Sequence, residues 1–109
     1  MNRFEFDICV PAAHPALPGH FPGQPIVLGV LLIDHVLAKM LQLEGLELIR
    51  LKHVKFSSVL LPDERAQVVC EVDGEQATFL VSSTQQSTTK IVASGKMLMR
   101  MKSHESLDS

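Results

Sequence analysis

Tryptophan and tyrosine are absent from this chain of 109 residues, and phenylalanine occurs five times. Ten Lys and Arg stand against twelve Asp and Glu, a formal net charge of −2. Both features argue against a general nucleic-acid binder, which needs a positive footprint and commonly uses aromatic platforms for base stacking. Cysteine is scarce as well: Cys9 and Cys70 lie sixty-one positions apart, in no C-x-x-C or other metal-type spacing. No disulfide framework follows, and both thiols are expected to be reduced core residues. Long apolar runs are also missing. The longest, residues 26–33, has eight residues and is closed by Asp34 and His35, against the roughly 20 that a bilayer span requires. Arg3, Glu5 and Asp7 fall where a secretory leader would be apolar, so the expected protein is cytoplasmic, with no membrane partner.

What is present suits one packed domain. With 46% hydrophobic and 20% charged residues, the chain has the composition of a globule and not of a disordered tail. The domain is expected over residues 1–102, with a polar tail at 103–109. Residues 4–10 place Phe4, Phe6, Ile8 and Val10 on one side and Glu5, Asp7 and Cys9 on the other, the period of a half-buried strand. Residues 11–29 hold five of the six prolines, three of the six glycines, and His14 and His20. So dense a run of fixed backbone angles marks a functional loop.

Residues 30–43 are almost wholly apolar, with Gly45 following as a helix C-cap. A helix apolar all round is expected to be buried. Further strands are predicted at 46–56, at Ala66-Val68-Cys70-Val72 and at 76–82, with a turn at Asp73-Gly74. In the last strand Ile91, Ala93, Gly95, Met97, Met99 and Met101 share one face. The fold class is therefore α+β: an antiparallel sheet wrapped around one long central helix. One helix covers such a sheet poorly, so two chains are expected to pair.

The segment His20-Phe21-Pro22-Gly23-Gln24-Pro25-Ile26-Val27-Leu28-Gly29-Val30-Leu31-Leu32-Ile33-Asp34 resembles the signature of the hot-dog-fold 3-hydroxyacyl-[acyl carrier protein] dehydratases. In that family a loop H-F-P-G-x-P-x-x-P-G-V-L precedes the central helix, with a carboxylate fourteen positions after the histidine. Asp34 keeps that spacing from His20. Residues 54–63, from Val54 through Phe56 to Pro62-Asp63, look like the family's V-x-F-x-x-x-V-x-P-G-D element. Three positions depart from the pattern: Leu28 replaces a proline, the acid is Asp as in the dehydratase-isomerase branch, and Ala38 replaces a glutamine. The chain looks most like the small dehydratases of aryl-polyene and related pigment lipids.

The resemblance implies a double hot-dog homodimer. It also implies a substrate carried on the phosphopantetheine of an acyl carrier protein, with no cofactor and no metal. His20 and Asp34 are the implied catalytic pair, and Gly29, Phe21, Gly23 and Val30 the oxyanion and substrate-binding positions. Elementary chemistry agrees. Removing water from a 3-hydroxyacyl thioester needs a base, an acid and a donor that polarises the carbonyl. The imidazole of His20 suits the base. Asp34 serves as acid when protonated, a form that burial among Leu31, Leu32 and Ile33 favours. Gly29, at the expected helix start, presents an unpaired backbone N–H.

Plainer roles exist for each residue. Asp34 also fits a structural buried acid; His14 fits loop ordering; and His35, about 100° around the helix from Asp34, fits packing or a subunit contact. His14, His20 and His35 lack the spacing of metal ligands. At the level of function, a hot-dog thioesterase and a non-catalytic acyl-binding subunit, in a homodimer or a heterodimer, are the alternatives. Lys90, Lys96, Arg100 and Lys102 fall on even positions in a stretch with no acid between Gln76 and His104. This basic stripe is a candidate docking surface for an acidic carrier protein.

Overall fold

The computed structural model describes residues 2–11 and 29–102. Their alternation resolves into β1 (Asn2–Ile8), α1 (Gly29–Glu44), β2 (Leu46–Phe56), β3 (Ala66–Asp73), β4 (Gln76–Gln85) and β5 (Thr88–Met101). The strands form one antiparallel sheet in the order β1-β3-β4-β5-β2. The α+β expectation of one helix against an antiparallel sheet is met.

Period-two patterning decides which sheet face is dry. Val68 and Cys70 of β3, Ala77, Phe79 and Val81 of β4, and Ala93, Met97 and Met99 of β5 are all buried. The helix covers this face with Leu32, Ile33, Val36 and Met40, and Cys70 Sγ meets Met40 Sδ at 3.8 Å. Each of the larger apolar side chains among them contributes roughly 1.5–3 kcal/mol on burial. The helix ends where expected: Gly45 adopts φ +69°, its N–H bonds Leu41 O at 3.0 Å, and its own carbonyl accepts from Lys102 N at 2.7 Å. The left-handed conformation favours glycine there.

Three expectations are corrected. The helix is not buried all round, because the sheet of one protomer reaches only one side of it; Val30 is 77% exposed and Leu43 52%. Cys9 is exposed, not in the core. It follows β1 on the side of Glu5 and Asp7, between buried Ile8 and Val10, so the alternation itself sends it outward. The faces of β5 also exchange partway along. Val81 pairs with Ala93 but Ser82 pairs with Ile91, leaving Val92 as the extra residue of a bulge. Val92 turns into the core at 1% exposure and Ile91 turns out at 41%. Among the described residues no helix is long and apolar enough to cross a membrane.

Candidate active site

The first helical residue is Gly29, and the first turn of α1 carries no acidic side chain. Its first N–H groups, which have no partner within the helix, form the positive end of the helix dipole with no carboxylate of that turn to offset it. Beside this end lies a cavity of about 280 Å³ lined, among the described residues, by Gly29, Leu32, Phe56, Ser58, Val59, Leu60 and Val92. Glycine here leaves room for an aromatic ring. A Cβ on Gly29 would stand 2.7 Å from Phe56 Cζ and 2.9 Å from Cε1, so the ring packs directly on the helix backbone.

The cavity wall is the loop between β2 and β3. Leu60 anchors it in the core at 1% exposure. The carbonyl of Val92 accepts from Ser57 N at 2.9 Å, and Asp63 N donates to Val10 O at 2.7 Å. Leu61-Pro62-Asp63-Glu64 closes as a turn, with Glu64 N donating to Leu61 O at 3.1 Å. Asp63 takes φ +66°, the glycine-like conformation of a type II turn. Asp63 therefore holds the glycine-like position of the turn, and Glu64 is the acid that follows it.

Glu64 is 6% exposed and Ser83 3%. Ser83 Oγ lies 2.6 Å from Glu64 Oε2 and 2.9 Å from Arg65 O. Leu61 N donates to Oε1 at 2.9 Å. Lys90 Nζ sits 3.3 Å from Oε2 and donates to Val59 O at 2.7 Å. Burial alone would push the Glu64 carboxyl up, but the Ser83 hydroxyl, the Leu61 amide and the Lys90 ammonium outweigh it and hold the group below its ordinary value. Sequence reading missed this cluster; the only local signal was an acid directly after a Pro-Asp turn.

Of the residues expected at the site, Gly29, Val30 and Asp34 all fall on α1, but of these three only Gly29 lines the cavity. His20, Phe21 and Gly23, with His14, lie outside the described residues. Asp34 is exposed in the single protomer, so its expected burial is not met within one chain. It stands one helical turn from Val30 on a stripe continued by half-buried Leu37 and exposed Ala38 and Leu41. His35 turns away: its Nδ1 lies 3.2 Å from Leu31 O.

The basic stripe is smaller than expected. The Val92 bulge puts Lys90 on the helix-facing side, where it pairs with Glu64. Lys96, Arg100 and Lys102 remain exposed, with Arg100 Nε bonded to Glu47 at 2.9 Å. Cys70 is no candidate nucleophile: burial first, then the Glu44 carboxylate, pushes its thiol up to about 12. Among the described residues, no three His, Cys, Asp or Glu side chains gather where they would hold a metal ion.

Comparison with known proteins adds a family and a fold. Residues 1–96 match the model of the ApeI-like family, described as ApeI dehydratase. No curated protein sequence matches the chain. A crystal structure of an uncharacterized protein from Erwinia carotovora subsp. atroseptica is similar at 24% identity and TM-score 0.77, over 91% of this chain and 83% of that one. The dehydratase heterocomplex ApeI:P from Xenorhabdus doucetiae is similar at 23% identity and TM-score 0.72, over 91% and 94%. The fluoroacetyl-CoA thioesterase FlK shares 16% identity at TM-score 0.57, over 98% and 90%. At such identities these structures speak for a shared fold alone.

Proposed function

The chain belongs to the ApeI-like dehydratase family, and from that premise we propose that it dehydrates a 3-hydroxyacyl thioester, carried on the phosphopantetheine of an acyl carrier protein, to the trans-2-enoyl thioester. The pathway proposed is that of aryl-polyene or related pigment lipids. The observation that carries the reading is the helix start at Gly29, open on an apolar cavity, with a carboxylate on the same helix at Asp34.

In the proposed reaction the backbone N–H at Gly29 binds the thioester oxygen as enolate character develops. His20 takes the proton from the carbon next to the carbonyl. That electron pair forms the double bond as the C3–O bond breaks, and Asp34 in its protonated form supplies the proton with which the hydroxyl leaves as water. The balance closes with no metal and no cofactor.

The acid role asks for a drier Asp34 than one protomer provides. The stripe of Val30, Asp34, Leu37, Ala38 and Leu41 and the exposed apolar residues Leu48, Ile49 and Leu51 of edge strand β2 support a second copy of the chain as their cover, in a double hot-dog dimer. Such a cover would take Asp34 out of water. The heterocomplex named for the ApeI neighbour makes a related second subunit the other occupant to test. Lys96, Arg100 and Lys102 remain the proposed surface for the acidic carrier protein.

The test is to incubate the protein with a 3-hydroxyacyl carrier-protein thioester and follow product mass. Loss of one water, with the enoyl group still attached, is the expected result. Release of free carrier thiol would instead identify a thioesterase, and unchanged substrate a non-catalytic acyl-binding subunit.

A further inference from the structure

The half-buried ion pair of Glu64 and Lys90 has no part in the proposed chemistry, yet two of its contacts end on the loop that walls the cavity. Lys90 Nζ holds the carbonyl of Val59 at 2.7 Å, and Val59 lines the cavity. Glu64 holds the amide of Leu61 at 2.9 Å, closing the turn that follows. The Val92 bulge both turns Lys90 toward Glu64 and offers its carbonyl to Ser57 N at 2.9 Å.

We propose that Glu64 and Lys90, backed by Ser83, are positioning residues that hold the 57–63 loop against the helix start and so set the shape of the acyl cavity. The inference rests on the reading of that cavity as the acyl site. Lys90 carries the larger share, because its ammonium bonds a carbonyl of the wall itself. Glu64 fixes the ammonium in place and takes up its charge.

The experiment compares Lys90→Met, Lys90→Arg and Glu64→Gln with the wild type. Binding is measured by calorimetry with an inert oxo-octyl pantetheine thioether, in which a methylene between sulfur and carbonyl blocks thioester chemistry. Turnover is measured separately on the 3-hydroxyacyl thioester. Lys90→Met is expected to weaken probe binding about tenfold, the scale of a modest misplacement of a binding wall, and to raise KM more than it lowers kcat. Lys90→Arg, which keeps the charge and a donor, is expected to restore most of the affinity. Should Lys90→Met fail to fold, Glu64→Gln gives the same reading, since its amide oxygen still accepts from Leu61 N.

Probe affinity unchanged in the variants, or lost only in proportion to the folded fraction without rescue by Arg, overturns the proposal. A wild type that binds the probe but dehydrates nothing would sink the dehydratase reading and leave the positioning role to the variants. A wild type that dehydrates, with variants that bind as it does, would sink the positioning role alone.

Discussion

Glu64 shows how much a single residue depends on groups far away in the chain. Its carboxylate is satisfied by Ser83, Leu61 and Lys90, and only the Leu61 contact is local. Removing the carboxylate strands the Leu61 backbone donor and leaves Ser83 only Arg65 O as acceptor, so Glu64→Ala is expected to cost roughly 2 kcal/mol. That is less than the 3–5 kcal/mol typical of a broken, fully buried pair, because the Lys90 side chain is 38% exposed. The pH dependence follows from the folded group titrating below its ordinary value of 4.5. The charged form adds stability above that value, and the contribution is lost as pH falls through it toward the folded value. Thermal melts of wild type and Glu64→Gln between neutral pH and acid should therefore converge below about pH 4.5. A gap that stays constant down to acid pH would mean that the charge of Glu64 adds nothing.

At the scale of elements, the helix start and the end of β2 are matched by shape. Gly29 leaves room for the Phe56 ring, which an added Cβ would meet at 2.7 Å. The ring is 51% exposed and free to swing, so Gly29→Ala should fold, with helix propensity offsetting the contact by up to about 1 kcal/mol. The variant keeps its backbone N–H, so any loss of turnover reports the displaced ring and not a missing oxyanion donor. Turnover of the 3-hydroxyacyl thioester is expected to fall about tenfold or more, and Gly29→Ala with Phe56→Leu should recover most of it. Failure of the double variant to recover would place the effect elsewhere in the helix turn. The β5 bulge acts at the same scale, since one extra residue turns Val92 inward and moves Lys90 from the outer face to the loop.

For the whole molecule, the exposed side of α1 and the edge of β2 are the surfaces on which pairing is tested. If two copies pair and each site takes His20 from one chain and Asp34 from the other, then inactive His20→Ala and inactive Asp34→Asn should complement on mixing. Random exchange makes half the dimers mixed, each with one complete site and one empty of both groups. Activity should recover to roughly a quarter of the wild-type value per site. Exchange verified by mass spectrometry without recovery would show that both groups of a site come from one chain, leaving the dehydration chemistry untouched.

Short-range patterning alone determined the strands, the helix, the glycine cap at Gly45 and the helix start at Gly29. Those features depend on residue period and turn chemistry within a few positions. The loop motif from His20 to Gly29 and the fourteen-residue spacing of His20 and Asp34 were legible for the same reason, and they carry the resemblance to the dehydratases. The environment of each group depended on long-range pairing. Strict alternation in β5 put Lys90 with Lys96 on one face, but the register against β4 inserts Val92 and reverses it. Local context marked Asp34 as buried among its apolar neighbours, yet a five-stranded sheet covers only one side of α1 and leaves Asp34 exposed. Burial and ion pairing are decided by which distant segments meet, and only the tertiary structure contains that information.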